Sequence, residues 1–182
     1  MGKVYERIDE RLRGFLEAQH LFFVASAPLS GDGMVNLSPK GYADTFIVLG
    51  DTQVAYLDLT GSGVETIAHL RENGRLTIMF CSFDRQPKIV RLYGRGTVVT
   101  PIDLDWDRLA TRFGEHVGAR AIVVLDVERI SDSCGYAVPH YTFVGQRGLL
   151  DDDHERRGPD GVLEYQRTRN AASLDGLPGL TG

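Results

Sequence analysis

The 182-residue sequence predicts a mainly β chain with flanking helices, an antiparallel barrel of the α+β class. Six or seven short runs are rich in the β-branched and aromatic residues that form strands. They follow one another mainly as hairpins, and single helical patterns interrupt them without the strand–helix–strand repetition of a parallel sheet. Composition agrees: 42% hydrophobic and 25% charged residues are ordinary for a globular chain. A chain of this length buries about two-thirds of its unfolded surface and supports one domain core.

The elements follow in order. Ile8, Leu12, Phe15 and Leu16 recur at three- and four-residue spacing between charged residues, which predicts a first helix. LFFVASA (21–27) is a strand. PLSGDGMV reads as a turn around the hairpin dipeptide Asp32-Gly33, and the strand pattern resumes at Met34. DTFIVLGDTQVAYLDL predicts a second hairpin around Gly50-Asp51. A helix then runs to about Arg71, followed by RLTIMFCSF as a buried strand. KIVRLYGRGTVV (88–99) is a long strand in which Gly94 and Gly96 mark a bulge or a close backbone approach. Ile102, Trp106, Leu109, Ala110 and Phe113 mark one helical face that Gly114 stops. AIVVLDVERI (121–130) is the last strong strand.

This divides the chain into a barrel over 1–130 and a C-terminal extension over 131–182. The extension holds a turn-rich stretch, a charged loop or short helix (LLDDDHERRGPDG), and a helical run ending in Gly and Pro. It is too polar for its own core and is expected to pack on the barrel or on a partner subunit.

Charge and cysteine usage narrow the function classes. A net charge of −5 argues against a nucleic-acid binder, whose phosphate contacts need a basic face. Cys81 and Cys134 have no metal-ligand spacing, and the five histidines are scattered, so no metal is expected. The N-terminus lacks the apolar core of a signal peptide, and no apolar run approaches the ~20 residues that span a bilayer. The expectation is a cytoplasmic protein that binds no membrane.

Four stretches can carry chemistry, and each has two readings. In LDLTGSGVETIAHLRENG (57–74) a strand meets a helix through Thr60, Gly61, Ser62 and Gly63. The unpaired N–H groups of a helix start suit a phosphate. Alternatively Ser62 caps the helix and Glu65 completes a capping box. In VNLSPKGYAD (35–44), Pro39 and Gly41 force irregular backbone around Lys40, either a ligand-facing edge with a point charge or a hairpin corner. In DRQPKIVRLYGRG (84–96), Arg91, Tyr93 and Arg95 share a face of an extended run, so an anion or the protein's own carboxylates must relieve the repulsion. SCGYAVPHY places Cys134, Tyr136, His140 and Tyr141 together, either lining a pocket or packing as a loop. No Ser–His–Asp signature or carboxylate pair supports hydrolase chemistry.

As an ordered set from 5 to 130, these stretches resemble the pyridoxamine 5′-phosphate oxidase-like flavoproteins, which have the FMN-binding split-barrel fold. The resemblance implies an antiparallel split β-barrel. It implies that 36–41, including Ser38, Pro39, Lys40 and Gly41, runs beside a flavin ring. Thr60, Gly61, Ser62 and Gly63 match the turn that grips the FMN phosphate, and Arg91 matches an arginine of the family's long strand. It further implies a homodimer with cofactor at the subunit interface, residues near Gln86 and in the C-terminal segment reaching a neighbour's cofactor.

Two departures stand out. The turn reads TGSG where family members often carry Arg and Lys, and the chain ends ASLDGLPGLTG without the basic segment of the oxidases that bind pyridoxamine phosphate. The resulting expectation is an FMN-dependent oxidoreductase acting on a small-molecule substrate outside pyridoxine biosynthesis. The cofactor would perform the redox chemistry while the protein binds and orients it. The alternatives are a deazaflavin-dependent reductase on the same barrel, a non-catalytic flavin- or haem-binding dimeric module, and a structural dimerisation module without cofactor.

Overall fold

Alternating burial along short extended runs builds most of the molecule, which a computed structural model describes over residues 2–180. The strands are β1 (Val4–Tyr5), β2 (Phe22–Ser26), β3 (Asn36–Lys40), β4 (Phe46–Gly50), β5 (Gln53–Leu59), β6 (Arg75–Cys81), β7 (Ile89–Val99) and β8 (Ala119–Ser133). The helices are α1 (Glu10–Glu17), α2 (Glu65–Asn73), α3 (Trp106–Ala110) and α4 (Leu149–Arg169). All strand pairs are antiparallel, in the order β3-β2-β6-β7-β8-β5-β4, with β1 added at the end of β8. Among the described residues no ladder joins β3 to β4, so the barrel is split between two strands that are consecutive in the chain.

The expected mainly β, antiparallel split-barrel architecture is therefore present. Phe22, Val24, Tyr56, Ile78, Phe80, Leu92, Val123 and Leu125 point inward, and Leu12 and Leu16 of α1 close one side. Phe22, Phe46 and Phe80 meet at centroid separations of 4.9 to 5.5 Å, within the range of favourable aromatic pairs. Pro39 is tolerated in β3 because that strand pairs only with β2 and needs no donor on its free side. At Gly94 the β7–β8 register shifts; a Cβ there would lie 1.9 Å from the Asp126 carbonyl oxygen, so the bulge requires glycine.

Several expectations need correction. Asp32-Gly33 does not make a tight hairpin: the register joins Ser26 to Asn36, leaving 27–35 as a loop. Its return limb is held from afar by Asp175, whose carboxylate accepts from the Met34 amide at 2.9 Å. Ile102 is 85% exposed and does not belong to the helical face, because α3 spans only Trp106–Ala110 and ends before Gly114. Helix α2 continues beyond Arg71 to Asn73, where Gly74 in the left-handed region (φ 71°) donates to Leu70 O. Strand β1 is too short to show any alternation in the sequence. The last strand runs past Ile130 to Ser133.

The two C-terminal segments read separately in the sequence form one helical span. It breaks at Gly158 (φ 67°), after which Pro159 restarts the helix where its missing N–H costs nothing. His154, Val162 and the following Asn170 are buried against the barrel. No helix among the described residues is long and apolar enough to cross a membrane.

Candidate functional site

The register shift at the end of β5 positions the charged centre of the site. Ala121 pairs with Asp58 and Ala119 with Leu59, which leaves Arg120 as the extra residue of a bulge. Arg120 Nε donates to Asp58 Oδ2 at 2.8 Å, and Lys40 Nζ donates to Asp58 Oδ1 at 2.6 Å. Asp58 is 1% exposed. Burial would push its carboxyl up, but Arg120 and then Lys40 outweigh it and hold it at about 2. Lys40 is thus already paired, which distinguishes it from the free point charge expected of the sequence. Tyr56, whose hydroxyl is buried and has no partner among the described residues, is raised well above its ordinary range by burial and then by Asp58.

Arg120 and the C-terminal helix then fasten the TGSG turn from behind. Arg120 Nη2 donates to Gly63 O at 2.8 Å and Nη1 to Asn170 Oδ1 at 2.9 Å. Asn170 Nδ2 donates to Gly61 O at 2.9 Å, and His154 Nε2 lies 3.0 Å from Thr60 O. The Thr60 hydroxyl donates to Gly118 O at 2.8 Å and accepts from Gln166 Nε2 at 2.8 Å. Thr60 therefore holds the turn and offers no free hydroxyl. The carbonyls of Thr60, Gly61 and Gly63 are all engaged, while the amides of Gly61, Ser62 and Gly63 have no protein acceptor among the described residues.

The capping reading of Ser62 is not what forms. The residue preceding α2 is Val64, and no side chain caps it. Glu65, which would have completed a capping box, instead accepts from the Leu174 amide at 3.3 Å. A small cavity of 160 Å³ lies against the turn, lined by Thr60, Gly61 and Ser62 and by Leu150, Asp153, His154, Arg157 and Tyr165 of α4. Arg157 also pairs with Asp153 at 2.6 Å. A cleft of 740 Å³ lies beside this cavity, the two sharing Thr60, Gly61 and Leu150 in their walls. Pro39, Lys40 and Gly41 border that cleft, together with Leu21, Leu57, Leu59 and Leu149.

The structure thus brings Pro39, Lys40, Gly41, Thr60, Gly61 and Ser62 around two neighbouring cavities, whereas Gly63 lines neither and has the Glu65 carboxylate against it. Ser38 faces another way, its hydroxyl donating to Asn36 Oδ1 at 2.9 Å in a network that reaches Thr66 and Ser26. Arg91 is not brought to the cleft within the chain. It donates to Ser133 Oγ at 3.0 Å, roughly 25 Å along β7 from the end that lies near the turn. Arg95 pairs with Glu128 and bonds Asn73 O, so its charge is relieved by the protein itself.

Asp58, Arg120, His154, Arg157, Gln166 and Asn170 were missed in the sequence. For Asp58 and Arg120 a signal existed: each is a lone charge inside an apolar strand segment, LDL and ARA. A charge in such a place must be paired. The α4 residues carried no comparable signal, because nothing local says where that helix docks.

The sheet order, the split and the turn before α2 define a class, and comparison with known proteins agrees. The family model described as pyridoxamine 5′-phosphate oxidase matches residues 8–134. The chain is 43% identical to the pyridoxamine 5′-phosphate oxidase family protein ustO of Aspergillus flavus over 194 residues, covering 97% of this chain and 77% of that one. This chain belongs to the pyridoxamine 5′-phosphate oxidase family. Among solved structures, a histidine-to-alanine variant of HupZ from Group A Streptococcus superimposes with a TM-score of 0.53 at 22% identity, covering 69% of this chain and 99% of that one. A protein of the pyridoxinephosphate oxidase family from Clostridium acetobutylicum, related to general stress protein 26, gives 0.52 at 12% identity, covering 70% and 91%. Both share the fold.

Proposed function

We propose that the protein is an FMN-dependent oxidoreductase that acts on a small-molecule substrate. The carrying observation is the turn over residues 60–63. Its carbonyls are pinned by Arg120, Asn170 and His154, and the amides of Gly61 and Ser62, beside a small cavity, have no acceptor among the described residues. Successive free backbone amides in a turn make a concavity that suits a phosphate. Arg157, beside its partner Asp153, is the cation in the lining of this cavity. The adjoining 740 Å³ cleft lies within the range of roughly 300–1,000 Å³ typical of cofactor pockets, and its leucines suit an aromatic ring system.

When bound, FMN would supply hydride transfer. The chain's own residues have distinct tasks in this reading. Gly61 and Ser62 hold the phosphate through backbone donors. Pro39 and Gly41 present backbone to the ring, and the Lys40–Asp58–Arg120 network fixes β3 relative to β5.

A homodimer belongs to the same reading. Met34, Val35 and Leu37 leave 61%, 75% and 63% of their surface exposed along the unpaired edge strand β3 and its approach. A second subunit covering this edge would hide both apolar surface and unpaired backbone groups. Two free thiols, Cys81 and Cys134, fit a reducing compartment such as the cytoplasm.

The test is a visible spectrum after incubation with FMN and desalting, with the dissociation constant measured by flavin fluorescence. Wild-type protein should retain flavin bands, and Arg157→Gln should weaken FMN binding by about tenfold, as expected for loss of a charge-assisted contact. Failure to retain FMN would overturn the assignment. Retention of a deazaflavin in its place would move it to that cofactor.

A further inference from the structure

The flavin cleft has a neighbour whose lining is of a different character. A cavity of 820 Å³ lies under residues 141–147, and four of its walls are the aromatic rings of Phe23, Phe83, Tyr141 and Phe143. His20 stacks on Phe143 with ring centroids 3.7 Å apart and planes 13° from parallel. His20, Leu21, Gly145 and Arg147 border both this cavity and the cleft, so the two spaces meet along one wall. The roof segment is tied by the Tyr141 amide to Phe83 O at 3.0 Å and by the Tyr42 hydroxyl to Arg147 O at 2.9 Å.

Charge in these walls is unevenly committed. Asp84 accepts from the Ser82 hydroxyl at 2.5 Å and from the Gln86 amide at 3.0 Å, so its carboxylate serves the local turn. Lys40, in the cleft, is paired with Asp58. Arg147 borders both spaces, and its exposed guanidinium has no acceptor among the described residues. Aromatic walls favour a flat ring system, and an uncommitted guanidinium favours a carboxylate or sulfonate.

We propose that this cavity binds a planar aromatic anion, its rings among Phe23, Phe83, Tyr141 and Phe143 and its charge on Arg147. Its place beside the cleft makes such anions the substrate class of the oxidoreductase; that assignment rests on the flavin reading, whereas the binding itself does not.

The test is calorimetric titration of the full chain, without and with FMN, using 2-naphthoate and its neutral counterpart 2-naphthamide. Naphthoate should bind with one site per chain, and naphthamide about tenfold more weakly for want of the charge-assisted contact. Arg147→Gln should bring naphthoate down to the level of naphthamide, while Phe143→Ala should weaken both. Both side chains are exposed enough that neither change threatens folding, which circular dichroism checks. Equal binding of the two probes, or indifference to either substitution, would overturn the proposal. So would binding seen only at dilutions that separate subunits, because the cavity would then be an interface between copies. FMN retention measured on the same samples separates the two readings. Flavin retained without naphthoate binding defeats only this inference, and naphthoate bound without flavin retention defeats only the flavin assignment.

Discussion

Arg120 donates its Nε hydrogen to Asp58 Oδ2 across 2.8 Å, and both side chains are almost completely buried. The pair joins the last residues of β5 to the bulge of β8, and it carries the adjoining turn on its remaining hydrogen bonds. Desolvating two charges is costly, so such a pair stabilises the fold mainly in the sense that neither partner can be removed alone.

Replacing Asp58 with Asn should therefore be severe. It leaves the Arg120 guanidinium buried without its counter-ion and releases Lys40. A loss of roughly 3–5 kcal/mol is expected. Urea unfolding followed by circular dichroism would measure it, and an Asp58→Asn protein within 1 kcal/mol of wild type, on the order of an exposed ion pair, would contradict the network described here.

The same carboxyl gives an acid-side signature. Its folded value of about 2 lies below the ordinary 3.8, so its contribution is fully present above about 3.8 and lost as pH falls through about 2. The stability gap between wild type and Asp58→Asn should hold at pH 5 and narrow steadily towards pH 2. A gap that stayed constant over that range would mean the carboxyl is not held down in the folded state.

Gly118 lies under the ring of His154: a Cβ there would come within 1.9 Å of His154 Nδ1. Gly118→Ala should push α4 away from the turn and cost about 1–3 kcal/mol, as overpacking does. Because His154 holds Thr60 O, FMN retention should fall as well. Thermal melts and flavin titration of one preparation would show whether the two losses travel together.

Asn170 tests the tether directly. It is fully buried and bonds both Arg120 and Gly61. Asn170→Ala should destabilise by about 1–3 kcal/mol through the unpaired groups it leaves. It should weaken FMN binding more than Gly94→Ala, a destabilising change whose clash with Asp126 lies elsewhere in the sheet. Equal effects of the two substitutions on FMN binding would remove any special role for the tether.

The strands from 21 to 130, their hairpin order and the strand–turn–helix at TGSG could be read from residue order, because alternation and turn chemistry are local properties. Periodicity reports which face of an element is buried, but not what it is buried against. Hence Lys40 read as a free charge, although the folded chain gives it Asp58, and a cap stood beside a phosphate seat as a reading of Ser62, although Leu174 takes Glu65 away. The anchoring of the turn by His154, Gln166 and Asn170 arises only when a helix about a hundred residues later docks on it. Its hydrogen bonds depend on the assembled backbone, and the local sequence around Thr60 bears no trace of them. Residue pattern alone determined the barrel and the turn; the tertiary structure decided which of the turn's polar groups are tied down and which remain free to meet a ligand.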